Sequence, residues 1–78
     1  MARVVVRYWA GARRAAGVAE EELDAASVQA LRDVLAARPA FVTMSGVLSY
    51  LVDGSQVPDD ALLPHGAVVD VLPPFAGG

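Results

Sequence analysis

Seventy-eight residues are enough for one small domain and exclude a multidomain enzyme, since domains usually run to about 100–200 residues. A content of 55% hydrophobic and 19% charged residues excludes disorder and describes a folded chain whose core is mainly Val, Leu and Ala. Six arginines against nine carboxylates leave a net charge of −3, which repels nucleic acid, while zero Cys and one His exclude disulfides, cysteine nucleophiles and multi-His metal sites.

Arg3 to Trp9 is rich in β-branched and aromatic residues and alternates so that Val4, Val6 and Tyr8 share one face, which predicts a strand. Its other face, with Arg3, Val5, Arg7 and Trp9, is mixed and suited to half-coverage by a partner. Ala10 to Gly17 predicts a turn or two of helix ended by glycine. Glu20-Glu21-Glu22-Leu23 then reads as a short strand returning antiparallel to the first, its glutamates forming a solvated edge that opposes aggregation.

Ser27 is a good N-cap, and Val28, Leu31, Val34 and Leu35 follow at helical spacing, with Arg38 near the negative end of the dipole and Pro39 beyond it. This is the main helix, and in so short a chain its apolar stripe must cover a sheet. Phe41 to Gly46 reads as irregular. Leu48 to Val52 reads as a third strand, Asp53-Gly54 as a tight turn of residues that tolerate positive φ, and Val57 as the start of a short return strand.

Pro58 to Pro64 reads as one helical turn N-capped by Asp59-Asp60, and His65-Gly66 as another turn with an exposed imidazole. Ala67 to Leu72 is the last strand, with Val69 and Val71 on one face and Val68, Asp70 and Leu72 on the other. No stretch approaches the roughly 18 apolar residues of a membrane span, and the chain reads as soluble and cytoplasmic. The element order fits an α+β domain over residues 1–72, a mixed sheet of four or five strands with one main helix across one face and the first and last strands side by side at its centre. This is the β-grasp, or ubiquitin-like, arrangement.

Residues 73–78 form an extended tail, Pro73-Pro74-Phe75-Ala76-Gly77-Gly78. Two terminal glycines arise by chance in about 0.5% of chains, taking glycine at about 7%. The prolines cannot donate to a ladder and favour an extended exit, and the tail reaches about 20 Å. Glycine backbone threads a narrow channel, and an ionised α-carboxylate on Gly78 is a nucleophile toward the α-phosphate of ATP. The reaction then belongs in a partner's active site.

At these residues the sequence resembles the MoaD/ThiS family of ubiquitin-like sulfur carriers, and within it the MoaD branch, which supplies the small subunit of molybdopterin synthase. The resemblance covers essentially the whole chain. Ala10, Arg13 and Gly17 match the family's Ala-x-x-Arg-x-x-x-Gly, Val52-Asp53-Gly54 its central turn, and Leu63, Gly66, Val69, Pro73, Pro74, Gly77 and Gly78 its ending.

The resemblance implies a carrier with no active site or bound cofactor of its own. Its Gly78 carboxylate, presented by Gly77, would be adenylated by an E1-like (MoeB-like) enzyme using ATP and magnesium, then converted to a thiocarboxylate by a sulfur donor system. The tail would enter a MoaE-like large subunit and donate sulfur in molybdopterin (molybdenum cofactor) biosynthesis. Phe75, Pro73, Pro74, Leu72, Val68 and Trp9 are the candidate partner-binding residues. The alternatives are a sulfur carrier for thiamine, cysteine or a specialised metabolite, and a ubiquitin-like modifier or binding module without sulfur transfer. The chain has no lysine, so an isopeptide conjugate would need another protein's lysine.

Overall fold

The computed structural model describes residues 2–74. Among them, five strands form one mixed sheet in the order β2-β1-β5-β3-β4, where β1 is Arg3–Tyr8, β2 Glu20–Asp24, β3 Ser49–Val52, β4 Ser55–Gln56 and β5 Val68–Leu72. The first and last strands pair in parallel at the centre, Val5 opposite Val68 and Tyr8 opposite Val71, and every other pairing is antiparallel. Helix α1 (Ala10–Ala16) links β1 to β2, and the longer α2 (Val28–Ala36) follows β2. The β-grasp arrangement expected from the sequence is the arrangement found.

The alternation in β1 and β5 determines which face is inside. Val4, Val6, Tyr8, Val69 and Val71 are all buried, and they meet Ala12 of α1 and Val28, Leu31 and Leu35 of α2 in a single core. Val34 falls outside this stripe and is exposed, so the buried face of α2 is narrower than its hydrophobic spacing suggests. The segment read as irregular contains a core residue: Phe41, in a 3₁₀ turn over Pro39–Phe41, is fully buried, with its ring centroid 5.8 Å from that of Tyr8.

Residues 58–64 make one hydrogen-bonded turn, Ala61 N–H donating to the Pro58 carbonyl at 3.0 Å, but no helix, and Leu62 then bridges to Ser27. The carbonyls of Asp59 and Ala61 accept the first-turn amides of α2, Gln29 at 2.8 Å and Val28 at 3.2 Å, while the Ser27 hydroxyl accepts from Ala30 N–H at 3.1 Å. The segment lies against the helix N-terminus, where orphan N–H groups need acceptors. Asp59 accordingly caps nothing with its side chain, which pairs with Arg32 at 2.9 Å. The return strand is Ser55–Gln56, with Val57 beyond it, because Asp53 at φ +48° and Gly54 at φ +85° make a two-residue hairpin turn.

Two charged residues also differ from their sequence reading. Arg38 lies past the end of α2 in extended conformation, and its guanidinium reaches Glu21 at 2.7 Å. Glu21 is opposite Val6 and so faces the helices, unlike its exposed neighbours Glu20 and Glu22, and it also accepts from the Tyr8 hydroxyl at 2.5 Å. The Arg38 hydrogen bond holds its carboxyl below the usual carboxylate range, whereas burial, followed by the Glu21 bond, raises the Tyr8 phenol. A depressed carboxylate stabilises the fold above its unfolded pKa and loses that contribution as pH falls through the folded one. Glu21→Ala is therefore expected to cost about 1.5–3 kcal/mol near neutral pH. In urea titrations the difference between wild type and variant should shrink below about pH 4.5, and a constant difference there would refute the assignment.

Candidate docking face at the root of the tail

The same alternation that buries one face of β1 and β5 leaves a second face uncovered by the core. Val5 and Arg7 of β1, Val68, Asp70 and Leu72 of β5, and Ser49 and Leu51 of β3 point to it. Register places Val5 opposite Val68, Arg7 and Leu51 on either side of Asp70, and Ser49 opposite Leu72. Val5, Leu51, Val68 and Leu72 are each half-buried, making a short apolar strip that is not closed over by side chains of its own.

At one end of this strip sits Trp9, 38% exposed. Its backbone is extended (φ −120°, ψ 147°) and its N–H donates to the Val71 carbonyl at 3.1 Å, carrying the β1–β5 ladder one residue beyond the strand. The indole Nε1–H donates to Asp70 Oδ1 at 3.1 Å, and Arg7 Nε reaches the same oxygen at 3.1 Å. The Arg7 guanidinium carbon also lies 5.2 Å from the centroid of the indole, within cation–π range. Three residues from two strands and the following loop are thus joined around one carboxylate oxygen.

Of the partner-binding residues expected from sequence, Trp9, Val68 and Leu72 share this face, and Pro73 (half-buried) and Pro74 (exposed) continue directly from it. Phe75, Gly77 and Gly78 lie outside the described residues, as does most of the tail of residues 73–78. Leu51 and Asp70 are not expected as contact residues from the sequence, and Val5 and Arg7 are expected only as part of the mixed outer face of the first strand. The alternation of each strand is readable in the sequence, but the parallel register that sets Arg7 beside Asp70 is a long-range pairing and is not.

A concavity of about 330 Å³ lies elsewhere, lined by Arg32, Leu48, Ser49, Tyr50, Gln56, Val57 and Pro58. Arg32 there pairs with Asp59, donates to the Leu48 carbonyl at 3.2 Å and stacks over Tyr50 at 4.3 Å, contacts that tie α2 to β3. Among the described residues no cluster of three His, Asp or Glu could hold a metal ion, and no helix is long and apolar enough to cross a membrane.

Comparison with known proteins adds to this geometry. The model of the ThiS family matches residues 6–78. A molybdopterin converting factor subunit 1 of Pyrococcus furiosus is 30% identical and superposes with a TM-score of 0.86 over 96% of this chain and 100% of its own. Small archaeal modifier protein 1 of Methanosarcina acetivorans is 27% identical, with a TM-score of 0.81 over 100% of this chain and 98% of its own. Subunit 1 in the complex of subunits 1 and 2 of the molybdopterin-converting factor from Helicobacter pylori shares the fold at 22% identity and a TM-score of 0.78, over 97% of this chain and 99% of that one. No curated protein matches the sequence.

Proposed function

This chain belongs to the ThiS family, and from that membership we propose that it is a sulfur carrier acting through a Gly78 thiocarboxylate in molybdopterin biosynthesis. The observation that carries the proposal is the extent of the family match, which runs through Pro73-Pro74 to Gly77-Gly78 and so includes the reactive ending. The docking face at the root of that tail supports it.

In this reading the Gly78 carboxylate attacks the α-phosphate of ATP inside an E1-like, MoeB-like enzyme that holds magnesium, and pyrophosphate leaves. Sulfide-level sulfur (HS⁻) supplied by a donor system then attacks the acyl carbon and AMP leaves, giving the thiocarboxylate. The loaded tail enters a MoaE-like large subunit, as a counterpart of the Helicobacter pylori subunit pair, and gives its sulfur to a pterin precursor. The carrier contributes the terminus and the docking face, with Trp9, Val68, Leu72, Pro73, Pro74 and Phe75 as contact residues, while both partners supply the catalytic groups.

A second reading, protein modification, is favoured by the likeness to the Methanosarcina acetivorans modifier. The two part at the product. Intact mass spectrometry of the protein isolated from its own cells, with the activating enzyme present, is expected to show one oxygen replaced by sulfur. Conjugates to lysines of other proteins without any thiocarboxylate form would overturn the first reading in favour of the second.

A further inference from the structure

Side chains on an open sheet face are usually free to change rotamer, and an aromatic anchor that must be immobilised on binding costs affinity. Trp9 differs from its surroundings in this respect. Its indole is fixed at the edge by the Asp70 hydrogen bond and flanked on one face by Arg7, and both contacts depend on one carboxylate oxygen at 3.1 Å from each donor. The Asp70 side chain is only 18% exposed, so the oxygen that organises the group is largely withdrawn from water while the two groups it organises, Trp9 at 38% and Arg7 at 43%, remain open. The backbone beneath is held by the Trp9 N–H bond to Val71, so neither the main chain nor the side chain must be ordered at the moment of docking.

We propose that Asp70 is a positioning residue for docking, pre-orienting Trp9 and Arg7 as one rigid anchor for the partner that receives the tail. The inference rests on the sulfur-carrier reading above. The occupant it commits to is the large subunit, because a subunit 1 of this fold is found in complex with its subunit 2 in Helicobacter pylori, and the anchor is continuous with the strip of Val68 and Leu72 from which the tail leaves. The surface it fits has an apolar socket for the indole face. At the rim of that socket it carries a hydrogen-bond acceptor, a carboxylate or carbonyl, for the guanidinium donors that Asp70 does not use. Leu51, half-buried, lies on the other side of Asp70 in the register.

The test exploits Trp9 as the one tryptophan of the chain, so that its fluorescence reports on the anchor alone. The chain and its Asp70→Ala, Asp70→Asn and Trp9→Ala variants are titrated with the molybdopterin synthase large subunit of the same organism, and acrylamide quenching of Trp9 is measured in the free proteins. Asp70→Ala is expected to weaken binding about three- to tenfold, the cost of ordering a freed side chain, and to raise quenching while thermal unfolding shows the fold retained. Asp70→Asn keeps an acceptor for the indole and is expected to stay within about twofold of wild type, a difference a merely structural role would not produce. Trp9→Ala, which removes the anchor, is expected to bind more weakly than Asp70→Ala. Unchanged binding by Asp70→Ala, or an Asp70→Asn variant as weak as Asp70→Ala, overturns the inference alone. A wild-type chain that does not bind the large subunit overturns the functional reading and the inference with it.

Discussion

Removing Gly78, or extending the chain beyond it with a tag, is expected to abolish sulfur loading while leaving the domain folded. Removal shortens the tail by about 3.3–3.6 Å, and reacting atoms must approach to roughly that same distance. A displacement of even about 1 Å costs on the order of a hundredfold, so the truncated carboxylate should fall below detection. A tag has a different effect, converting the carboxylate into an amide that cannot attack ATP. The fold is insulated from both changes, since β5 ends at Leu72 and the buried core within the described residues draws on nothing beyond Val71. The measurement is intact mass after incubation with the activating enzyme, ATP, magnesium and a sulfur donor, beside a thermal unfolding curve. Loading by either variant at the wild-type rate would remove Gly78 from the mechanism.

The largest effect on stability is expected at Phe41. It is fully buried and packs against Tyr8, and replacing it with alanine should cost about 3–5 kcal/mol through lost transfer energy and the cavity left behind. A domain of this size typically has about 4–12 kcal/mol in total, so Phe41→Ala should unfold a large part of the population near body temperature and lower Tm by at least about 12 °C. Differential scanning calorimetry reads this directly. A loss under about 1 kcal/mol would mean that the site is not packed as described.

Phe41 also shows where reading the sequence stops. Val4, Val6, Tyr8, Val69 and Val71 are identified as core by alternation alone, and Leu31 and Leu35 by helical spacing, because each lies in an element with its own period. Phe41 lies in a short 3₁₀ turn with no period, so only the packing of that turn against Tyr8 reveals its place. Residues 58–64 stop at one turn for a related reason. Locally Pro-Asp-Asp favours a helical start, and a turn closes at Pro58–Ala61, but the amides of α2 need acceptors and take the Asp59 and Ala61 carbonyls.

The site divides in the same way. Trp9, Val68 and Leu72 were legible as an outer face because strand alternation places them there. Arg7 and Asp70 were visible as residues of that face but not as partners, since 63 positions separate them in sequence and only the parallel register joins them. Glu21 likewise read as one of three equivalent edge charges. Its inward position follows from its pairing with Val6, and its partner Arg38 comes from beyond the next helix.

The central place of β5 has a mechanical consequence. A partner that grips the tail pulls along the axis of a strand hydrogen-bonded on both sides, to β1 in parallel and to β3 antiparallel. Load applied that way shears two ladders at once, whereas the same pull on an edge strand such as β2 would be resisted by one. A pull on the residues that follow Leu72 is therefore borne by two ladders and leaves the sheet intact under loads that would strip an edge strand.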